Sequence, residues 1–190
     1  MHNWARMLFL GDSLTHGSRD PYGLCWPFYM AHLAGNEGYT IIPELDAVPG
    51  RISGELVRVG VERITRTEAH EVFILIGTND AKDEIATPPD LYLYNVRLLI
   101  NTCFAFGKRP YVLTIPIPDG FGSSGYSTSV MQRIASYNQA LRNNVELLVE
   151  CESVVGSEDG IHFTPKMNWK VAQKTWQTIK NVRSFTSPVG

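Results

Sequence analysis

Two periods of apolar residues alternate along this chain. Short continuous apolar or β-branched runs lie at about Arg6–Leu10, Tyr39–Leu45, Val72–Ile76, Tyr111–Ile115 and Ser153–Val155, and such runs read as buried strands. The segments between them carry apolar residues three and four positions apart, which is the helical period. They predict a helix around Pro27–Leu33 and another near Gly54–Thr65, with Val57, Val61 and Ile64 on one face. A third runs from about Pro89 to Phe106, carrying Leu91, Tyr94, Leu98 and Thr102, and a fourth covers about Ser129–Glu150, with Ile134, Leu141, Val145 and Leu148. The last helix starts after Thr164-Pro165, a capping residue followed by proline in the first turn, and its buried stripe is Ala172, Trp176 and Ile179.

Strands that alternate with helices predict βαβ units, and hence an α/β fold with a mostly parallel sheet and helices on both faces. Neither a repeat nor a linker interrupts the alternation. The expectation is therefore one domain over residues 1–190, with a polar tail at 184–190 that is free to fray.

Composition narrows the partners. Apolar residues make up 44% and charged residues 19% of the chain, which is ordinary globular usage. The net charge is −2 and no basic cluster occurs, so neither nucleic acid nor an anionic membrane surface is expected as a partner. Cys25, Cys103 and Cys151 are odd in number and show no CxxC pairing, which predicts free buried thiols rather than disulfides or a metal site. No apolar run has the length of a membrane span. Met7–Leu10 is also too short for the apolar region of a signal peptide, so the expectation is a cytoplasmic chain, with a leader removed beforehand as the alternative.

Candidate chemistry collects at the carboxyl ends of the predicted strands, where open α/β sheets bind ligands. The first strand runs into Gly11-Asp12-Ser13-Leu14-Thr15-His16-Gly17, so Ser13 stands in a sharp turn at its end. Asp12-Ser13 reads equally well as the cap and first turn of a helix. After the fifth strand comes Asp159-Gly160-Ile161-His162. A serine hydroxyl needs a neighbouring base, usually a histidine oriented by a carboxylate, and an aspartate three residues before a histidine can reach its Nδ1. In the alternative, Asp159 terminates a strand and His162 packs beneath the last helix; Glu158 is the second candidate carboxylate. Asn79, in Gly77-Thr78-Asn79-Asp80, can aim its amide at an oxyanion or simply close an Asn-Asp turn. Gly50, in Val48-Pro49-Gly50-Arg51, can bring its N–H close to a substrate or form a plain Pro-Gly turn.

Gly11-Asp12-Ser13-Leu14, Gly50, Gly77-Thr78-Asn79-Asp80 and Asp159-Gly160-Ile161-His162, in that order, resemble the four sequence blocks of the GDSL, or SGNH, hydrolases. The resemblance implies a three-layer α/β/α flavodoxin-like fold with a central five-stranded sheet. It also implies ester hydrolysis by Ser13, His162 and Asp159, and an oxyanion hole made of the Ser13 and Gly50 N–H groups with the Asn79 side chain. No cofactor and no metal are expected. Three positions depart from the family pattern. Gly54 competes with Gly50 for the second block, Met167 stands where a glycine is often found after the histidine, and His16 replaces the tryptophan typical of the arylesterase and perhydrolase branch.

The expected substrate is a small carboxylic ester with a short acyl or acetyl group, on a carbohydrate among other carriers. The alternatives are a lysophospholipase or thioesterase of the same superfamily, and a binding module that lost turnover. An aromatic wall is expected from Tyr22 and Trp26 in one loop and Phe121 and Tyr126 in another. Arg51 is read as an exposed surface arginine rather than a contact to a polar leaving group, and His16 as either a pocket residue or a local cap. Gly120-Phe121-Gly122-Ser123-Ser124-Gly125 has the spacing of a dinucleotide fingerprint without its context. Pro116, Pro118 and Asp119 separate it from the strand, and Glu146, near the distance of the required acid, falls mid-helix in the predicted pattern. It is read as a glycine-rich rim loop.

Overall fold

The computed structural model describes residues 4–117, 126–153 and 159–182. Five strands are present among the described residues: β1 (Trp4–Gly11), β2 (Thr40–Ala47), β3 (Glu71–Leu75), β4 (Arg109–Leu113) and β5 (Leu148–Val149). They form one parallel sheet in the order β2-β1-β3-β4-β5. Between and after them lie α1 (Ser13–His16), α2 (Trp26–Asn36), α3 (Ser53–Arg66), α4 (Pro89–Ala105), α5 (Thr128–Asn144) and α6 (Pro165–Val182).

Alternation along the central strands feeds two cores. On β1, Met7 and Phe9 face one side of the sheet, while Leu8 and Leu10 face the other. On β3, Phe73 and Leu75 join the first set and Val72 and Ile74 the second. The first core is closed by Trp26 and Met30 of α2 with Val171, Trp176 and Ile179 of α6. The second is closed by Leu56 of α3, Val96 and Leu99 of α4, and Ile134 and Leu141 of α5. These are the three layers expected from the sequence. Phe9, Phe73 and Tyr111 stack across β1, β3 and β4 at 4.8 and 5.0 Å, and Trp26 meets Phe9 edge-on at 5.1 Å. Each such aromatic pair adds about 0.5–1.5 kcal/mol beyond its buried area. Pro43, which cannot donate to a ladder, is tolerated because β2 pairs with β1 alone, at the edge of the sheet.

The fifth strand is not where the apolar pattern placed it. It is Leu148–Val149, whereas Ser153 lies in a turn and residues 154–158 fall outside the described residues. Helix α5 stops at Asn144, after two asparagines of poor helix propensity, and Val145 is already extended (φ −117°, ψ 123°). Val145 and Leu148 are three apart and so matched a helical stripe. In fact Leu148 packs on one core and Val149 on the other, as neighbours on a strand must. Glu146 accordingly follows the helix instead of lying within it.

One contact ties α5 to the rim of the sheet. The buried Asn138 accepts from the Ile115 N–H and donates to the Ile115 carbonyl, both at 2.7 Å, satisfying a backbone that has just left β4. Asn138→Ala strands both groups in the interior, and urea unfolding is expected to show a loss of about 2–4 kcal/mol. A loss below about 0.5 kcal/mol would mean that water replaces the amide at this position.

Candidate active site

The site is built at the carboxyl ends of β1, β2 and β3. In this strand order the chain reverses direction across the sheet between β1 and β3, which opens a crevice there. At Gly11 the backbone passes so close to its surroundings that a Cβ would stand 2.5 Å from Thr15 Oγ1 and 2.6 Å from the Leu75 carbonyl. Only glycine lets α1 turn back this tightly onto the end of β3. Asp12 caps α1, its Oδ1 accepting from the Leu14 N–H at 2.9 Å, and Ser13 is the first helical residue, buried at 7% exposure. Asp12-Ser13 is thus the cap and first turn of a helix, and this capped turn carries the serine.

Asn79, buried just after β3, links the neighbours of two other candidate residues. Its Nδ2 donates to the Arg51 carbonyl at 3.1 Å and to Asp12 Oδ2 at 3.4 Å. The amide therefore lies between the residue before Ser13 and the residue after Gly50. Gly50 sits in the turn after β2 at φ +84°, a left-handed conformation suited to glycine, and nothing among the described residues stands within 4 Å of where a Cβ would be. Gly54 lies instead inside the first turn of α3, facing the Asn95 amide. Asp80 holds the adjoining wall: its carboxylate accepts from the Ser53 N–H at 2.9 Å and from the Ser53 hydroxyl, which itself accepts from Asn95 Nδ2 at 2.9 Å.

Asp159 and His162 stand on the loop ahead of α6. His162 Nδ1 is 2.7 Å from Asp159 Oδ2, while Asp159 Oδ1 accepts the N–H groups of Ile161 and His162, each at 3.0 Å. One carboxylate thus folds its own loop and orients the imidazole. Two contacts absent from any sequence pattern join this loop to the serine's side of the crevice. Arg19, six residues after Ser13 in the chain and itself at φ 67°, places Nη1 3.0 Å from Asp159 Oδ2. Asp20 accepts from the Asn168 Nδ2 of α6 at 3.1 Å through Oδ2, and through Oδ1 from the Tyr22 and Leu24 N–H groups. Asn168 directly follows Met167, the position that departs from the family pattern.

Several expectations need correction. Arg51 is not an exposed arginine: its side chain is 10% exposed and its Nη1 bonds Asp46 Oδ1 at 2.7 Å. Trp26 is no part of a wall, being fully buried in the core beneath α2. Tyr22 is 73% exposed, and Tyr126 is half-buried. Burial pushes the Tyr126 hydroxyl up to about 12, with the charges of Asp12, Glu84 and Asp159 adding to it. His16 ends α1, exposed, with Nδ1 3.3 Å from Ser18 Oγ, a local contact. Glu158, Phe121 and the glycine-rich stretch 120–125 lie outside the described residues. The three cysteines are free and buried; burial raises the Cys25 thiol to about 11 and those of Cys103 and Cys151 to about 12, so none is a nucleophile near neutrality. No helix among the described residues is long and apolar enough to cross a membrane.

Residues 9–147 match the family described as GDSL-like lipase/acylhydrolase. No curated protein sequence matches the chain. Among solved structures, TesA superposes with a TM-score of 0.76 at 19% identity, covering 93% of this chain and 99% of that one. Est24, a carbohydrate acetylesterase from Sinorhizobium meliloti, gives 0.74 at 18% identity, covering 94% and 99%. The aryl esterase of M. smegmatis gives 0.75 at 17% identity, covering 93% and 99%. At these identities the likeness establishes the shared fold.

The electrostatics of the crevice have a measurable consequence. Burial pushes the Asp12 carboxyl up from 3.8 to about 7, with the Asp80 charge adding and the Leu14 N–H opposing. Asp80 is also raised by burial, against the bonds from Ser53. Between those two pH values the folded chain holds a proton on Asp12 that the unfolded chain has lost, so stability from this group falls as pH rises through that window. Urea titrations are expected to show the wild type losing a few kcal/mol relative to Asp12→Asn between about pH 4 and 7, and little more above. Parallel curves for the two proteins would show that Asp12 does not titrate there.

Proposed function

Because the chain belongs to the GDSL-like lipase/acylhydrolase family, we propose that it is a serine esterase that hydrolyses small carboxylic esters through an acyl-enzyme. Ser13 is the nucleophile, His162 the general base and acid, and Asp159 the carboxylate that orients it. The Ser13 N–H, the Gly50 N–H and the Asn79 amide, the last on giving up its long 3.4 Å contact with Asp12, stabilise the oxyanion. The observation that carries this reading is the 2.7 Å contact between His162 Nδ1 and Asp159 Oδ2, made by a carboxylate already locked by two backbone N–H groups. That contact keeps the proton on Nδ1 and leaves Nε2 free to act as a base.

The chemistry then runs in two steps. Nε2 of His162 accepts the proton of Ser13 Oγ as the oxygen attacks the ester carbonyl carbon. The resulting imidazolium is stabilised by Asp159, and the carbonyl oxygen takes up negative charge facing Gly50 and Asn79. Collapse breaks the bond to the alkoxy oxygen, which leaves with the proton from Nε2, and the acyl group stays on Ser13. A water molecule, deprotonated by Nε2, attacks the acyl carbon; the acid leaves and Ser13 regains its proton. A backbone or side-chain donor facing an oxyanion is worth about 3–4 kcal/mol in such a transition state.

A short acyl group is carried over from one structural neighbour, a carbohydrate acetylesterase, and an ester substrate from that one and from an aryl esterase. Ser13→Ala is expected to lower turnover of p-nitrophenyl acetate by at least about 10³-fold with an unchanged melting temperature. Asn79→Ala is expected to lower kcat by about 10²–10³-fold. Full activity of Ser13→Ala would refute the nucleophile. Within a series from acetate to palmitate, a maximum at the long chains would replace the small-ester assignment with a lipid one.

A further inference from the structure

We infer that Arg51 is a positioning residue, whose ion pair with Asp46 holds Gly50 and Asn79 in the geometry an oxyanion needs; this rests on the esterase reading above. The guanidinium folds back onto the strand the chain has just left, with Nη1 donating to Asp46 Oδ1 at 2.7 Å and to the Asp46 carbonyl at 3.0 Å. The two side chains are only 10% and 17% exposed, so the pair is screened far less than one on the open surface. Through its backbone the same residue holds the site. Its N–H donates to the Val48 carbonyl at 3.2 Å, closing the turn that sets Gly50 at φ +84°. Its carbonyl accepts from Asn79 Nδ2 at 3.1 Å.

Among the described residues, packing does not otherwise set this turn from the side of Gly50, where none of their atoms lies within 4 Å of the point a Cβ would occupy. Hydrogen bonds and the ion pair must therefore do so. Asp46 is also anchored: it pairs with Leu10 in the sheet, and Arg63 Nε stands 3.4 Å from its other carboxylate oxygen. Because Arg63 stays beside Asp46 when Arg51 is truncated, the carboxylate is not left alone, and the fold survives the substitution. A displaced turn moves both donors by a fraction of an ångström, which affects the transition state and leaves ester binding almost untouched.

The test measures kcat and KM for p-nitrophenyl acetate in Arg51→Ala, Arg51→Lys and Asp46→Asn, with melting temperatures alongside. Arg51→Ala is expected to lower kcat roughly 10- to 30-fold with KM within about twofold, because the interaction it supports exists in the transition state. Arg51→Lys restores part of the loss, since an ammonium keeps the charge but not the guanidinium fork. Asp46→Asn, which retains an acceptor, falls in between. In an Asn79→Ala background the Arg51→Ala effect shrinks to roughly threefold or less, since one of the groups it positions is gone. Wild-type kcat in Arg51→Ala and Asp46→Asn overturns the inference, as does an undiminished effect in the Asn79→Ala background. If Asn79→Ala alone retains full activity, the oxyanion assignment itself fails, which separates the two conclusions.

Discussion

The structure depends on β1 being paired in parallel on both sides, to β2 along its whole length and to β3 over its second half. Parallel pairing forces every connection to cross a face of the sheet and return to the same end. The residues that follow the strands therefore collect along one rim, however far apart they are in the chain. With β1 between β2 and β3, its terminal turn is flanked by the turns that follow those two strands. Ser13, Gly50 and Asn79 are neighbours for that reason before any side-chain bond is counted.

Carboxylates then specify the rim, and each is satisfied in its own way. Asp12 is fully buried, and the N–H groups around it do not offset the loss of water, so its proton is held towards neutrality. Asp80 is buried against Ser53 and fastens the start of α3 to the end of β3. Asp159 lies nearer solvent and takes two backbone N–H groups, an imidazole and a guanidinium. The first two are costs that the fold carries in order to hold a tight turn and a wall. The third holds an imidazole, its second oxygen lying 2.7 Å from His162 Nδ1.

Two arginines extend this logic beyond the five residues of the proposed machinery. Arg19 bridges from the loop after Ser13 to Asp159, and Arg51 bridges from the turn of Gly50 to Asp46. Arg51 folds back within its own segment, five residues after Asp46, whereas Arg19 spans a gap between two segments that the sheet brings near but does not bond. Asn168 does the same from α6, reaching the loop that holds Tyr22. The rim is thus braced by polar contacts, while one face of the sheet is braced by the aromatic stack of Phe9, Phe73 and Tyr111.

Hydrophobic periodicity was enough to locate β1 to β4 and the helices from α2 onwards, because buried strands and amphipathic helices must repeat with their own geometry. It chose the wrong face of α4, however, where Leu91 and Tyr94 are exposed and Tyr92, Val96, Leu99 and Cys103 are buried. It failed at β5, where Val145 and Leu148 satisfy the helical spacing and only the pairing with β4 selects the strand. The motifs likewise identified Ser13, Asn79, Asp159 and His162 as candidates, since the local turn chemistry of each is written in adjacent residues. Choosing Gly50 over Gly54 could be argued from its place after a strand, but the backbone angle that distinguishes them exists only in the folded chain. Nothing local distinguishes Arg51 from any surface arginine, Trp26 from a wall residue, or Asn168 from a helix-surface amide. Their surroundings are supplied by residues distant in the chain or by the way the chain folds back on itself. Order along the polypeptide therefore determined the elements and the chemical groups, and three-dimensional packing alone decided which groups meet, because burial and partnership belong to the assembled rim and not to any one segment.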